Sequence, residues 1–136
     1  MKKMMFLAAL LLPMVAQAYS GHGGMKAKRI SSEVYAYHFD NGFTGEDAMG
    51  WDPDLQFAWS RLAAARACKV SVDEGAALDY LAKKFDQDPV MQEIVGVGFH
   101  EAQIRSNSSF CTQARIDSTN ELVEELKAND LKSRFR

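Results

Sequence analysis

The sequence contains few of the residues by which catalytic and cofactor-binding domains are recognised. Of 136 residues, two are cysteine and three are histidine, and no C-x-x-C pair or zinc-like cysteine and histidine spacing occurs. A G-x-S-x-G nucleophile turn, a phosphate-binding glycine loop, a dinucleotide-binding glycine pattern and an H-E-x-x-H helix are also missing. We therefore expect a protein that is not an enzyme and that needs no cofactor.

The sequence also lacks a strong excess of charge of either sign. Sixteen basic and 18 acidic residues give a formal net charge of −2. Nucleic-acid binding requires a basic stripe, and adhesion to an anionic membrane surface requires a basic cluster. Neither feature is present, so we expect no nucleic-acid partner.

One long apolar run is present, and it lies close to the N-terminus. It spans residues 4–15 after two lysines, and A-Q-A at 16–18 then places small residues where signal peptidase cuts. This is the pattern of a cleaved secretory signal, whereas an uncleaved membrane helix would need about twenty apolar residues. We expect cleavage after Ala18 and a periplasmic or secreted mature protein with no stable membrane anchor. The leader holds two basic and no acidic residues, so the mature net charge is −4.

Two cysteines, Cys68 and Cys111, follow the leader. Because an exported chain meets an oxidising compartment, this pair predicts one disulfide. The bridge would close a loop of about 44 residues, worth roughly 4 kcal/mol in a chain-entropy estimate. A reactive thiol or a metal-binding pair is the alternative, but no supporting motif accompanies either cysteine.

The mature chain divides into a short arm and a single domain. Residues 19–30 are rich in glycine and then basic, which indicates a flexible arm. Residues 31–136 form the domain, which opens with the stretch "SSEVYAYHFDNGF". Alternating side chains and an Asn-Gly turn there predict a strand or short hairpin. The expected fold is mainly α, a small four-helix bundle-like domain with this short N-terminal β element, stapled by the disulfide.

Helix start signals place the four predicted helices. Asp-Pro pairs at 52–53 and 88–89 suit an N-cap followed by the first turn. A capping box spans 71–74, and Ser108 or Ser109 is a candidate cap for the last helix.

The third predicted helix has an apolar stripe and two glycines. Val90, Ile94, Val97 and Ile104 share the stripe at helical spacing. Glycines at 96 and 98 weaken a helix, so either another backbone comes close or the helix breaks there.

Five aromatic residues near the start of the domain have two interpretations. They could cover the open face of the bundle, since a short β element needs a surface to lie on. They could also bind a partner, because tyrosine and tryptophan are enriched at interface hot spots. The candidates are Tyr35, Tyr37, Phe39, Phe43 and Trp51.

The histidines suggest two less favoured chemistries. After cleavage, His22 is the fourth residue, one position too far for the copper chelate that a histidine at position three forms. His22 and Met25 remain candidate ligands for weak copper binding. Hydrolysis would need His38 or His100 in a cleft beside a carboxylate.

These observations favour an exported, non-enzymatic protein that binds another protein. A secretion accessory, an immunity protein and a chaperone all fit a small, disulfide-stapled helical domain. Copper binding by the N-terminal arm is the alternative. The sequence predicts neither the partner's identity nor the oligomeric state.

Overall fold

The protein is represented by a computed structural model, which describes residues 30–135. The expected signal peptide at 1–18, nearly all of the 19–30 arm and the metal candidates His22 and Met25 lie outside the described residues. The mainly α class is confirmed, with five helices in the described range. In chain order the elements are α1 (Ser32–Asn41), a 3₁₀ helix (Gly45–Ala48), α2 (Pro53–Ala67), α3 (Glu74–Phe85), α4 (the consecutive segments Pro89–Met91, Gln92–Val97 and Gly98–Arg105) and α5 (Gln113–Lys127).

The expected N-terminal β element is wrong, because its residues form helix α1 instead. The Ser31 hydroxyl caps the helix by accepting a hydrogen bond from the Val34 N–H. Tyr35 and Phe39, four residues apart, both point into the core, whereas Tyr37 is 62% exposed. An alternating pattern would have put Tyr37 on the same side as its two neighbours. Burial in this segment therefore follows the period of a helix. The alternation of large side chains in the sequence had suggested a strand.

Gly42 ends α1 where only glycine is accommodated. Its φ is +108°, a conformation that disfavours a side chain. A Cβ at this position would also lie 2.4 Å from Cε1 of Phe135. The expected Asn-Gly turn is therefore a helix terminus that brings the C-terminal segment against α1.

The predicted helix starts are confirmed at both Asp-Pro pairs. Asp52 caps α2 and Asp88 caps α4, each with proline in the first turn. The other two predicted caps are wrong by two to four residues: Asp73 caps α3 instead of Ser71, and Thr112 caps α5 instead of Ser108 or Ser109.

Helix α2 is the centre of the domain. It packs against α3, α4 and α5, and every residue from 54 to 65 is buried. A helix surrounded on all sides is usually apolar throughout. Here four of the buried positions are polar or charged, so the core contains polar groups that need partners: Asp54, Gln56, Ser60 and Arg61.

Arg61 is the largest of these polar groups. Its guanidinium lies between the rings of Phe39 and Phe57, 3.8 and 3.6 Å from their centroids. It donates hydrogen bonds to the carbonyl oxygen of Phe39 and to the hydroxyl of Ser118. Burial lowers the pKa of Arg61 to about 9. It therefore stays charged at neutral pH and joins α1, α2 and α5.

The predicted disulfide is confirmed. Cys68 follows the last turn of α2, Cys111 precedes α5, and their Cα atoms are 5.6 Å apart. The bridge ties the end of one helix to the start of another across a loop that contains α3 and α4. No helix in the described part of the chain combines the length and apolar character that crossing a membrane requires.

Candidate protein-binding surface

The five candidate aromatics do not form one surface. Tyr35, Phe39 and Phe43 are buried, and their rings pack on one another and on Phe110. These three side chains pack in the core and present almost no exposed surface. The two others lie nearer the surface: Tyr37 is exposed, and Trp51 is half-buried with its ring edge-on to Trp59 at 5.2 Å.

His100 belongs to a closed network in the core. The side-chain amide of Gln56 donates to the Ala48 carbonyl, which directs its oxygen to His100 Nε2 at 2.7 Å. The Nε2 nitrogen therefore carries the proton, and Nδ1 accepts a hydrogen bond from the Tyr35 hydroxyl at 2.8 Å. Burial lowers the pKa of His100 to about 3, helped by the nearby charge of Arg61. The imidazole is therefore neutral and fully enclosed, and both of its nitrogens are hydrogen-bonded. It stabilises the fold and does not face a cleft.

His38 lies beside a carboxylate without a hydrogen bond to it. Its Nε2 is 3.8 Å from Oδ2 of Asp47, and its ring stacks on Phe43. Among the described residues, no group of three or more potential metal ligands comes together.

The predicted apolar stripe of α4 is correct in its second half and wrong in its first. Val97 and Ile104 are buried, but Val90 and Ile94 are 63% and 66% exposed. The cause is a π-helical segment at Gln92–Val97, where the N–H of Gly98 donates to the carbonyl oxygen five residues before it, that of Glu93. Each such turn holds one residue more than an α-helical turn. The stripe therefore loses its register, and its N-terminal part turns to the solvent.

The polar side chain of Gln92 faces the core in place of the exposed Val90 and Ile94. Gln92 is completely buried; its Oε1 accepts a hydrogen bond from Trp59 Nε1 at 3.0 Å, and its Nε2 donates to the Leu78 carbonyl at 3.1 Å. Gly96 lies against the same indole, where a Cβ would be 2.4 Å from Trp59 Cδ2. Neither a nearby backbone nor a helix break explains this glycine: the face of a tryptophan ring occupies the space.

The outcome is an exposed apolar surface made of Val90, Met91 and Ile94, which we call the π patch. These three side chains are 63%, 42% and 66% exposed, on consecutive turns of α4. An ordinary amphipathic helix would have turned this face inward. The pattern is thus inverted locally, with the amide side chain of Gln92 inside and aliphatic side chains outside.

A fixed group of charges borders the π patch. Glu93, in the same turn, pairs with Arg66 of α2, which also binds Glu74 of α3 and Glu101 of α4. Arg105 holds the other oxygen of Glu101 at 2.7 Å. Hydrogen bonding to Glu74, and then to the other two carboxylates, raises the pKa of Arg66, and the bond from Arg105 lowers the pKa of Glu101. Three helices are thereby tied together at the edge of the patch.

Sequence reasoning missed the π patch because its residues fit an α-helical stripe. An α-helix would place Gln92 about 200° from Val90, on the polar face, so the sequence carries no signal of its burial. In the structure, a buried glutamine five residues before a buried valine has the spacing of a π turn.

Comparison with known proteins adds no relative to this picture. No family, no curated protein and no solved structure matches the chain.

Proposed function

We propose that this chain is an exported, non-enzymatic protein that acts by binding another protein through the π patch. The observation that carries the proposal is the inverted burial in α4: Val90 and Ile94 are about two-thirds exposed while Gln92 is fully buried. The polar side chain of Gln92 occupies a core position, where its hydrogen bonds are satisfied, while the aliphatic side chains of Val90 and Ile94 remain in water. That arrangement is unfavourable for an isolated domain and favourable for a surface that a partner covers.

Burial of the π patch beneath a partner would contribute favourable free energy to binding. Removing an aliphatic side chain from water is worth about 1.5–3 kcal/mol when it becomes fully buried. The π patch offers three such side chains, each already partly covered, so a partner would gain several kcal/mol from them. The neighbouring charges held by Arg66 match the usual anatomy of an interface, in which a polar rim surrounds an apolar centre.

The expected export and the lack of enzymatic motifs favour a small exported protein that binds another protein. The leader pattern at 1–18 and the Cys68–Cys111 bridge support an oxidising compartment. The enclosed, neutral His100 speaks against a hydrolase that depends on this histidine. A secretion accessory, an immunity protein and a chaperone each act through one protein surface, and the identity of the partner distinguishes them.

The experiment that tests this function is an affinity pull-down from the native cell envelope, with the mature protein and its disulfide intact. Ile94→Glu places a charge in the π patch without touching the core, since Ile94 is exposed. Ala102→Glu adds the same charge to an exposed position further along α4 and serves as the matched control. We expect mass spectrometry to find one stoichiometric protein partner with the wild type and the control, and not with Ile94→Glu.

Two results would contradict the proposal. One is retention of the partner by Ile94→Glu at the wild-type yield, given that the variant keeps its melting temperature. The other is the recovery of no protein in stoichiometric amount. Recovery of many unfolded clients through the π patch would identify the protein as a chaperone and so support protein binding.

A further inference from the structure

A second surface of the domain is a groove between α3 and α5. It has a volume of about 510 Å³ and runs from the residues before α3 to those after α5. Its floor is formed by the buried side chains of Ala77, Val123 and Leu126. Val72 and Ala76 form the wall on the α3 side. The small alanine side chains leave room for several aliphatic groups from another molecule, within the size range of ordinary binding pockets.

The rim of this groove is acidic on both sides. Asp73 stands on the α3 side and Glu124 on the α5 side, and Lys127 is the one basic residue of the lining. A shallower hollow of about 420 Å³ continues along α5 and shares Glu124. It adds the carboxylates of Glu121 and Asp130.

Few of these charges are neutralised within the domain. Glu125 in the shallower hollow is paired with Arg134. Among the described residues, by contrast, no ion pair involves Asp73, Glu121, Glu124 or Asp130. Four carboxylates therefore stand opposite two ammonium groups, those of Lys127 and Lys132. With the Glu125–Arg134 pair left aside, these residues carry a net charge of −2, while the floor of the groove is apolar.

We propose that this groove binds an amphipathic, cationic segment of a partner protein. Aliphatic side chains on one face of the segment would pack against Val72 and Ala76, above the buried floor, and lysine or arginine side chains would meet Asp73 and Glu124. Amphipathic helices bind to apolar grooves in this way, and opposite charges at the rim set their orientation. The inference rests on the proposed function, protein binding, but it uses a surface separate from the π patch.

The same charges exclude other occupants. A groove bordered by carboxylates repels the phosphates of nucleic acids and of anionic lipids. The basic residues of the protein's own arm, Lys26, Lys28 and Arg29, have the right sign. The arm is therefore a competing occupant of the groove, and the test has to distinguish it from a partner protein.

The test measures binding of a synthetic peptide to the mature, disulfide-bonded protein by fluorescence anisotropy. The probe is a labelled leucine and lysine peptide of about 18 residues, which is five turns of an amphipathic helix. A peptide of the same pattern with glutamate in place of lysine is the comparison. We expect the lysine peptide to bind and the glutamate peptide not to bind, with affinity falling as salt rises from about 0.05 to about 0.3 M.

Two variants locate the site, and two controls show that the effect is local. Glu121→Lys with Glu124→Lys reverses the charges on the α5 side, and Ala76→Trp fills the groove at an exposed position. Each is expected to weaken binding by about tenfold or more, since charge complementarity and apolar burial both contribute. The controls Glu46→Lys, on the exposed 3₁₀ helix, and Ile94→Glu, in the π patch, should bind the probe as the wild type does.

Several results would overturn the inference. Unchanged binding by Ala76→Trp would mean that the peptide meets surface charge alone, and loss of binding in Ile94→Glu would move the site to the π patch. Tighter binding after Lys26→Gln, Lys28→Gln and Arg29→Gln together would show that the arm occupies the groove. Absence of probe binding would reject the groove alone, since the pull-down with Ile94→Glu tests the proposed function independently.

Discussion

The side-chain oxygen of Gln92 lies 3.0 Å from the indole nitrogen of Trp59, and this hydrogen bond joins the π turn of α4 to the centre of α2. Both residues are buried. The Gln92 amide also donates to the Leu78 carbonyl of α3, so one side chain satisfies polar groups on two helices. This connection keeps Gln92 inside and therefore keeps the neighbouring aliphatic residues outside.

Replacing this glutamine should be costly. Gln92→Leu would leave the indole N–H of Trp59 buried without a partner, which costs about 1–3 kcal/mol. The carbonyl of Leu78 would lose one of its donors but lies within helix α3, where the backbone also bonds it. We expect the free energy of unfolding to fall by about 1–3 kcal/mol, as measured by urea titration. Gln113→Leu, at an exposed site at the start of α5, is the control and should change it by less than about 0.5 kcal/mol. Equal effects at the two sites would mean that the buried amide contributes nothing specific.

Two of the helical glycines, Gly96 and Gly75, should respond to alanine in opposite directions. At Gly96 a Cβ would lie 2.4 Å from the Trp59 ring, so the indole or the helix must shift. At Gly75 in α3 the nearest atom is 3.8 Å away, an ordinary contact. Gly75→Ala should stabilise the domain by about 0.5–1 kcal/mol because alanine is the better helix former, whereas Gly96→Ala should destabilise it by about 1–3 kcal/mol through overpacking. Thermal unfolding of both variants measures the difference, and stabilisation by Gly96→Ala would show that the ring moves freely.

The sequence predicted the features that depend on local chemistry. The Asp-Pro helix starts, the mainly α class and the Cys68–Cys111 bridge follow from the conformational limits of proline, capping carboxylates and the pairing of two cysteines. The strand prediction for residues 32–41 was wrong because the alternation of aromatic side chains fits a strand as well as a helix over so short a length. Only tertiary packing decides between them.

The candidate surface was harder to predict than the fold. A π turn shifts the register by one residue, and nothing in the hydrophobic pattern of residues 90–104 requires that shift. The deciding contacts are those of Gln92 and Gly96 with Trp59, more than thirty residues earlier in the chain. Long-range contacts of this kind leave almost no trace in a single sequence. The acidic groove likewise depends on the packing of α3 beside α5, which helix patterns do not specify.

The buried His100 should make stability depend on pH. In the unfolded chain its pKa is about 6.5, and in the folded protein burial lowers the pKa to about 3. Between these values the unfolded state binds more protons than the native state, so the free energy of unfolding falls as the pH is lowered through this range. The slope from this group approaches about 1.4 kcal/mol per pH unit. Urea titrations at pH 7 and pH 5 measure it.

The corresponding variant is His100→Gln, which should remove this slope even though it lowers stability at every pH. His38→Asn changes the other described histidine and leaves the buried network of His100 with Tyr35 and Gln56 in place. If His100→Gln fails to fold, the ring ¹⁵N shifts of the wild type provide the same information. A His100 ring that takes up a proton near pH 6 in the folded protein would contradict the prediction.

Removing the disulfide should destabilise the domain strongly without disturbing its core. Cys111 is exposed and Cys68 is half-buried, so Cys68→Ser with Cys111→Ser leaves no buried cavity. The expected loss is therefore that of the loop constraint, roughly 4 kcal/mol for a separation of 43 residues. For a domain of this size we expect the melting temperature to fall by about 10 °C or more. Wild-type protein reduced with dithiothreitol should show the same decrease, and a shift within about 3 °C would mean that helix packing alone holds the end of α2 against the start of α5.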